Sequence, residues 1–299
     1  MKTNHLRNLI HFLAFLKKKR ATLYQEYKRD EDLKLLMHKS KVKTMFQPIL
    51  SLKEGSTEGF EILNRPESTV HFPTTETFYD YVGESSYVVM VEQFLRNLSI
   101  ERFAEQVHKQ NECRDPLVFL NIQTQVLADP CWRSGITMEL LEKYNLSPNQ
   151  IVLELTEKQS VKNYNLFKEL IEHYRQQGFR IAVDDAGTGY NSLQTLVYLK
   201  PEFIKLDKSL IRNIHCHREN QHLVKLLVKY ATQVGTKIIA EGIETDDELE
   251  FLQSIDVHMG QGFALGRPSQ KLQQGSMPKV NIHDQLALTL LFGHQNRLM

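Results

Sequence analysis

Short apolar runs of strand length alternate with longer segments of helical periodicity along most of the chain. The helical spacing is clear at Phe167, Leu170, Ile171 and Tyr174, and Gly178 follows as a stop signal. Because parallel strands are joined by crossovers that are usually helices, this alternation predicts an α/β protein with a largely parallel sheet. The predicted strands lie near residues 45–50, 58–64, 117–122, 151–156, 180–185, 203–207, 237–242 and 258–263.

Eight strands without a second long apolar block predict closure of the sheet into a (β/α)8 barrel, the TIM-type fold. An open doubly wound sheet is the alternative. Such a sheet usually has a glycine-rich nucleotide-binding loop after its first strand, whereas residues 47–50 of this chain are Gln, Pro, Ile and Leu. We therefore expect a barrel, in which the carboxyl ends of the strands converge on one mouth.

The N-terminal segment has a different pattern. Leu9, Phe12, Leu13 and Leu16 fall on one face of a helix, and the next four residues are all Lys or Arg. We predict a basic amphipathic helix, for which two interpretations remain open. Residues 1–20 dock on an anionic membrane surface or a protein partner, or the helix packs on the body or across a dimer.

Charge divides the chain into segments. The 299 residues include 37 Lys and Arg and 36 Asp and Glu, which gives a formal net charge of +1. Twelve of the cations but only four of the acids lie in residues 1–43, so this helical extension is basic and the remainder is acidic. We assign residues 44–270 to the barrel and residues 271–299 to a partly helical C-terminal extension. An acidic barrel binds polyphosphate poorly, so we expect no nucleic-acid partner, whereas its carboxylates suit divalent cations.

Two further features bear on the compartment. No apolar run approaches the roughly 18 residues needed to span a bilayer. The three cysteines, Cys113, Cys131 and Cys216, form no C-x-x-C pair, which argues against both a disulfide framework and a thiolate zinc site. The sequence favours a cytoplasmic protein, and the basic helix leaves association with the inner membrane surface open.

Nearly every predicted strand ends in a polar or charged side chain. Glu61, Asn121, Glu154 and Asp184 supply oxygen atoms from four successive strand ends, and Mg²⁺ and Mn²⁺ prefer oxygen ligands. Asp185 can help to hold a second ion, with Asp184 as the bridge. Two such ions roughly 3.5 to 4 Å apart activate a water and stabilise an in-line displacement at phosphorus, so phosphodiester hydrolysis is the predicted chemistry. Taken singly, each acid is more typical of a surface group or a helix cap.

Over roughly residues 44–270, the chain resembles the EAL-domain phosphodiesterases that hydrolyse cyclic di-GMP. The resemblance rests on eight short motifs that occur in order. They are Gln47-Pro48-Ile49, Glu61-Ile62-Leu63 with Arg65, Asn121, Glu154-Leu155-Thr156-Glu157, Asp184-Asp185-Ala186-Gly187-Thr188-Gly189, Lys205-Leu206-Asp207, Ala240-Glu241-Gly242-Ile243-Glu244, and Gln261-Gly262-Phe263.

The resemblance implies a modified barrel whose first strand is antiparallel, two Mg²⁺ or Mn²⁺ ions per active site, and a homodimer. It implies cleavage of one phosphodiester bond of cyclic di-GMP to give linear pGpG. By position, the implied metal ligands are Glu61, Asn121, Glu154, Asp184, Asp185 and Glu244. The implied catalytic groups are Lys205, Glu241 and Glu157. The implied substrate contacts are Gln47, Leu63, Arg65, Asp207 and Gln261.

The chain departs from the family pattern at residues 62 and 186, among other positions. Ile62 replaces the usual Ala of the naming motif, and Ala186 replaces the usual Phe in the loop after the fifth strand, which predicts a looser loop. We expect burial beside the metals to depress the pKa of Lys205. The alternative function is a catalytically silent cyclic di-GMP receptor that signals through its N-terminal helix. Degenerate members of the family usually lose metal ligands, and none is lost here.

Overall fold

Eight strands close into one barrel in chain order. The structure is a computed structural model that describes residues 2–110, 115–123, 126, 136–156, 164–187 and 192–278. The strands are β1 (Val42–Ser51), β2 (Thr57–Pro66), β3 (Leu117–Ile122), β4 (Ile151–Thr156), β5 (Arg180–Ala186), β6 (Phe203–Leu206), β7 (Lys237–Ala240) and β8 (Met259–Gly260). The barrel and the eight predicted strand positions are confirmed.

The first strand is the exception to the parallel order. β1 pairs antiparallel with β2 and with β8, whereas every pair from β2 to β8 is parallel. A short turn joins β1 to β2. It contains Gly55 at φ +71°, a left-handed conformation that glycine adopts without a steric penalty. The modified barrel with an antiparallel first strand is therefore confirmed.

Helices cover the outside of the barrel. They are α1 (Lys2–Leu36), α2 (Thr75–Glu84), α3 (Val88–Gln110), α4 (Ile136–Tyr144), α5 (Tyr164–Gln176), α6 (Ser192–Leu199), α7 (Lys208–Ile211), α8 (Arg218–Val234) and α9 (Asp246–Ser254). α8 ends directly before Gly235 and α5 ends two residues before Gly178, and both glycines have positive φ, +76° and +97°. Glycine terminates these helices in the left-handed conformation, as the predicted stop at Gly178 requires.

Ala186 does not lie where the sequence suggested. It is the last residue of β5 rather than a loop residue, it pairs with Leu206, and only 1% of its surface is exposed. Ala186 is therefore a buried residue of the strand. The loop that follows, residues 188–190, lies outside the described residues, and its predicted looseness stays a prediction.

The two ends of α1 differ in burial. Leu9, Phe12 and Leu13 are more than half exposed, whereas Leu33 and Leu36 are buried in the main core. Packing of the predicted apolar face on the body is therefore not what the structure shows. Within the described part of the chain, no helix combines the length and apolar character needed to cross a bilayer.

The proposed division of the chain stays a prediction. Residues 271–278 contain no helix, and residues 279–299, where we predicted helical structure, lie outside the described residues.

Candidate active site

The period of the strands produces a polar layer at the barrel mouth. Seven buried side chains fill the barrel interior, one from each of seven strands: Ile49, Phe119, Val152, Ala182, Phe203, Ile239 and Met259. Because successive side chains of a strand point to opposite faces, the residue two positions away faces the interior again. In these seven strands that residue is polar: Gln47, Asn121, Glu154, Asp184, Lys205, Glu241 and Gln261. Glu61 of β2 completes the layer.

Lys205 lies at the centre of this polar layer. Its side chain is 1% exposed, and its Nζ contacts carboxylate oxygens from four other positions in the barrel. The distances are 2.7 Å to Glu241 Oε1, 2.8 Å to Glu154 Oε1, 3.4 Å to Glu61 Oε1 and 3.5 Å to Asp184 Oδ1. One ammonium therefore faces four carboxylates in a site from which water is largely excluded.

Burial and neighbouring charges together set the pKa values of the polar layer. Burial by itself lowers the pKa of Lys205, but the four carboxylates together raise it well above its usual value. Our expectation of a depressed pKa concerns Lys205 beside bound cations, and it stays a prediction. Burial raises the pKa of Glu154 well above its usual range, and the Glu61 carboxylate raises it further. Burial also raises the pKa of Glu241 to about 8, against the opposing effect of Lys205.

Side-chain amides fix the position of Glu61. Gln261 Nε2 donates to Glu61 Oε2 at 2.5 Å and to Gln47 Oε1 at 3.0 Å, and Asn121 Nδ2 donates to Glu61 Oε1 at 3.1 Å. Burial alone would raise the pKa of Glu61, but Lys205 and these amide donors hold it below its usual value. The sequence placed these residues together, and the structure brings them into contact.

A bulge at the end of β5 directs two adjacent acids toward the mouth. Val183 pairs with Ile204, but Ala186 pairs with Leu206, so β5 carries one extra residue. Asp185 has a φ of +56°, and its N–H donates to Asp184 Oδ1 at 2.9 Å. This turn is what allows consecutive acids to share one site.

The oxygen atoms at the mouth are suitable ligands for a cation. One oxygen each of Asp184, Asp185 and Glu241 lies within 4.8 Å of the others. Glu154 Oε2 is buried and accepts no hydrogen bond from any residue that the structure describes. A buried carboxylate oxygen without a donor is costly, and a cation bound beside it would remove that cost.

Two predicted site residues, Glu244 and Asp207, make other contacts in the part of the chain that the structure describes. Both oxygens of Glu244 accept from Arg212, at 2.6 and 2.8 Å, on the exposed rim. Asp207 caps α7 and accepts from Ser209 N at 2.8 Å. Glu157 lies outside the described residues.

A cavity of about 780 Å³ opens beside the polar layer. Glu61, Asn121 and Asp185 form its edge, and the predicted substrate contacts Leu63 and Arg65 line it. The opposite wall comes from α2 and α3 and includes Tyr79, Asp80, Glu92 and Arg96.

Sequence reasoning missed this second wall. Arg96 donates to Glu92 at 2.9 Å and to Thr137 Oγ1 at 2.8 Å, and all three residues are buried. Glu92 and Arg96, four residues apart in a largely apolar helix, were the available signal, since charged residues are rarely buried unless paired.

Glu248 is a second residue that sequence reasoning missed. It is fully buried on α9, and its Oε2 accepts from the backbone N–H groups of Glu244 and Thr245, at 2.8 and 3.1 Å. Its Oε1 accepts from Asn213 N at 2.8 Å. Glu248 thus joins the loop after β7, which carries Glu241, to the segment that follows α7. The available signal was the capping-box pattern from Thr245 to Glu248.

Comparison with known proteins identifies the family. A family model described as "EAL domain" matches residues 30–268. The chain belongs to the EAL domain family. It is 27% identical over 259 residues to the "Cyclic di-GMP phosphodiesterase PdeR" of Escherichia coli. The aligned region covers 86% of this chain and 38% of that protein. The chain spans about half or less of the length of the other curated relatives that it matches.

Solved structures of EAL domains share the barrel. A structure described as "PaMucR Phosphodiesterase, c-di-GMP complex" is 25% identical with a TM-score of 0.70, covering 86% of this chain and 98% of that chain. The manganese/cy-diGMP complex of Klebsiella pneumoniae BlrP1 at pH 9.0 is 25% identical with a TM-score of 0.69. It covers 79% of this chain and 58% of that chain.

We predict that Glu248→Gln lowers the free energy of unfolding by roughly 1–3 kcal/mol at neutral pH, because an amide NH₂ replaces an acceptor of backbone N–H groups. Burial by itself raises the pKa of Glu248, but those backbone donors hold it below its usual value. Its stabilisation is therefore present above the pKa of an unfolded Glu and is lost as the pH falls through the folded value. Urea unfolding at several pH values measures the difference.

The control for this measurement is Glu250→Gln, an exposed position on the same helix. It should change stability little at any pH. Equal stability of the two variants at neutral pH would contradict the role that we assign to Glu248.

Proposed function

We propose that the barrel of residues 44–270 hydrolyses cyclic di-GMP to linear pGpG and so lowers the level of this second messenger. The observation that carries the proposal is the set of four carboxylates around Lys205, beside a cavity of about 780 Å³. A cavity of this size is ordinary for an organic ligand. The names of the relatives and the cyclic di-GMP complexes of the solved EAL structures support the substrate.

We further propose that two divalent cations, Mg²⁺ or Mn²⁺, belong to the site. Glu61, Asn121, Glu154 and Asp184 would hold them, with Asp185 at the second position. The unpaired Glu154 Oε2 and the excess of carboxylates over ammonium groups support this assignment. The manganese in the BlrP1 complex agrees with it. When bound, such ions lower the pKa of a water and stabilise charge on the phosphate.

Glu244 and Asp207 take other roles in this proposal. Because Arg212 binds both oxygens of Glu244, we assign Glu244 to holding the loop rather than to the ligand set. Asp207 positions the start of α7 behind Lys205. Glu157 keeps the catalytic role that the resemblance implies.

The remaining groups divide the chemistry between them. Lys205 orients the attacking water and balances the negative charge that develops on the phosphate. Glu241, the acid nearest to Lys205 Nζ, is the proton acceptor that we assign. The guanidinium of Arg65 in the cavity suits a phosphate or a guanine edge, and Leu63 lies two residues before it. Gln261 holds Glu61 in place, and Gln47 in turn orients Gln261.

The first test is incubation of the purified protein with cyclic di-GMP and Mg²⁺ or Mn²⁺, followed by chromatography for pGpG. We expect turnover, and we expect Asp184→Asn to reduce it by at least about a hundredfold, because a misplaced catalytic group costs this much. Nucleotide binding, measured by calorimetry, should survive in the variant. Asp246→Asn, on the exposed first turn of α9, is the matched control.

Two outcomes would contradict this proposal. Wild-type turnover by Asp184→Asn would remove Asp184 from the mechanism. Binding of cyclic di-GMP by the wild-type protein without any cleavage would instead identify the alternative function, a receptor that signals through α1.

A second prediction concerns Lys205. Lys205→Ala should lower kcat by roughly a hundredfold or more with little change in KM, because the lost group acts on the reacting water rather than on the bound nucleotide. Since the change also leaves four buried carboxylates without their cation, thermal unfolding must establish that the variant is folded at the assay temperature. Lys237→Ala, at an exposed position on β7, is the control. Equal kcat in Lys205→Ala over a range of pH would exclude Lys205 from catalysis.

We propose that the protein forms a homodimer through adjacent faces of α6 and α8. Val197 of α6 is 57% exposed and Leu226 of α8 is 66% exposed, and Tyr230 of α8 donates to Leu196 O of α6 at 3.4 Å. Light scattering should give twice the 34.9 kDa of the chain. Leu226→Glu should give the monomer, because it places a charge on the apolar face. Val70→Glu, at a 93% exposed position, is the control, and a wild-type monomer at all concentrations would exclude the dimer.

A further inference from the structure

The N-terminal part of α1 carries an unusual number of exposed apolar side chains. We call this surface the α1 face, and it consists of Leu9, Phe12, Leu13, Phe15 and Leu16. Each of these side chains is between 42% and 58% exposed. Two turns further on, Leu23, Tyr24 and Tyr27 are exposed to a similar degree. Exposed apolar residues in such number on one helix indicate a binding surface, because scattered single residues are the normal pattern.

Cations surround the α1 face. Residues 9–29 contain six Lys or Arg and a single Glu, and four of the cations are consecutive at residues 17–20. Lys19 Nζ lies 6.0 Å from the centre of the Phe15 ring, and Lys28 Nζ lies 5.8 Å from the Tyr24 ring. Long basic side chains that run beside aromatic rings are suited to an interface where apolar tails meet anionic headgroups.

We propose that α1 lies in the plane of an anionic lipid surface, with the α1 face toward the acyl chains and the cations at the headgroups. Leu13 and Phe15 widen the apolar face beyond the narrow stripe of a coiled coil, which takes one residue every 3.5 positions. The stripe that Leu9, Phe12 and Leu16 begin is broken at Lys19 and Glu26, where a coiled-coil seam needs apolar residues. A parallel pair of these helices would bring four cations against four cations, whereas an anionic surface attracts them.

The other end of α1 holds the helix to the body. Leu33 and Leu36 are buried, and Asp30 accepts from the hydroxyl groups of Tyr81, at 2.6 Å, and Tyr87, at 3.1 Å. A lipid-bound α1 would therefore hold the barrel at the surface through direct contacts.

The test is co-sedimentation of the full chain with vesicles. Vesicles of phosphatidylcholine with phosphatidylserine are compared with vesicles of phosphatidylcholine alone. We expect binding to the anionic vesicles at low salt and release as the salt concentration rises. Replacing all four cations of residues 17–20 by Glu, or the pair Phe12→Glu and Leu16→Glu, should reduce the bound fraction by about tenfold or more. Val70→Glu and Lys237→Glu are controls at exposed positions elsewhere, and they should bind as the wild type does.

Three results would overturn the proposal. The first is a full chain that stays in the supernatant with anionic vesicles at low salt. The second is equal binding to both kinds of vesicle. The third is a fall in molar mass by light scattering in the Phe12→Glu and Leu16→Glu variant without any vesicle binding by the wild type, which would assign the α1 face to a second copy of the chain. Hydrolysis of cyclic di-GMP in solution is measured separately, so its failure leaves this test unaffected.

Discussion

The position of one buried ammonium among four carboxylates is the constraint on which the barrel mouth depends. Lys205 Nζ lies within 3.5 Å of oxygens from Glu61, Glu154, Asp184 and Glu241. Like charges held this closely in a dry site repel one another, and desolvation adds to the cost. The Lys205 ammonium offsets part of that cost, and the raised pKa values of Glu154 and Glu241 reflect the repulsion and desolvation that it does not offset. The remaining cost makes the site suitable for divalent cations.

The strands and the loops contribute differently to this arrangement. Because side chains alternate between the two faces of a strand, seven polar groups lie one layer above the apolar side chains of the barrel interior. The two-residue period of the strands therefore determines the depth of the polar layer. The loops need additional devices, because no ladder of hydrogen bonds continues beyond the strand ends. The bulge before Ala186 directs Asp184 and Asp185 toward the mouth, and the buried carboxylate of Glu248 holds the loop that carries Glu241. Both devices use backbone N–H groups, which are rigid donors.

The sequence predicts the barrel and the members of the polar layer because both leave local traces. Apolar runs of strand length mark the strands, and an acid or amide at each strand end marks the mouth. The sequence does not predict features that depend on distant residues. Arg96 reaches Thr137 across the chain, and the pKa of Lys205 depends on four residues from other parts of the barrel. The sequence predicts that β5 ends near residue 185, whereas it ends at Ala186. The bulge that extends this strand has no signature in hydrophobic periodicity.

The same elements that hold α1 also form the cavity wall. Asp30 of α1 binds Tyr81, and Tyr81 belongs to α2, whose Tyr79 and Asp80 line the cavity. Asp32 makes a second link, at 2.8 Å, to His71 in the segment that leads into α2. A displacement of the last turns of α1 must therefore break these bonds or carry α2 with it. Since α2 faces the cavity from the side opposite Arg65, movement of α2 changes the width of the space in which we place the nucleotide. Glu61, Glu154 and Asp184 remain fixed to the strands.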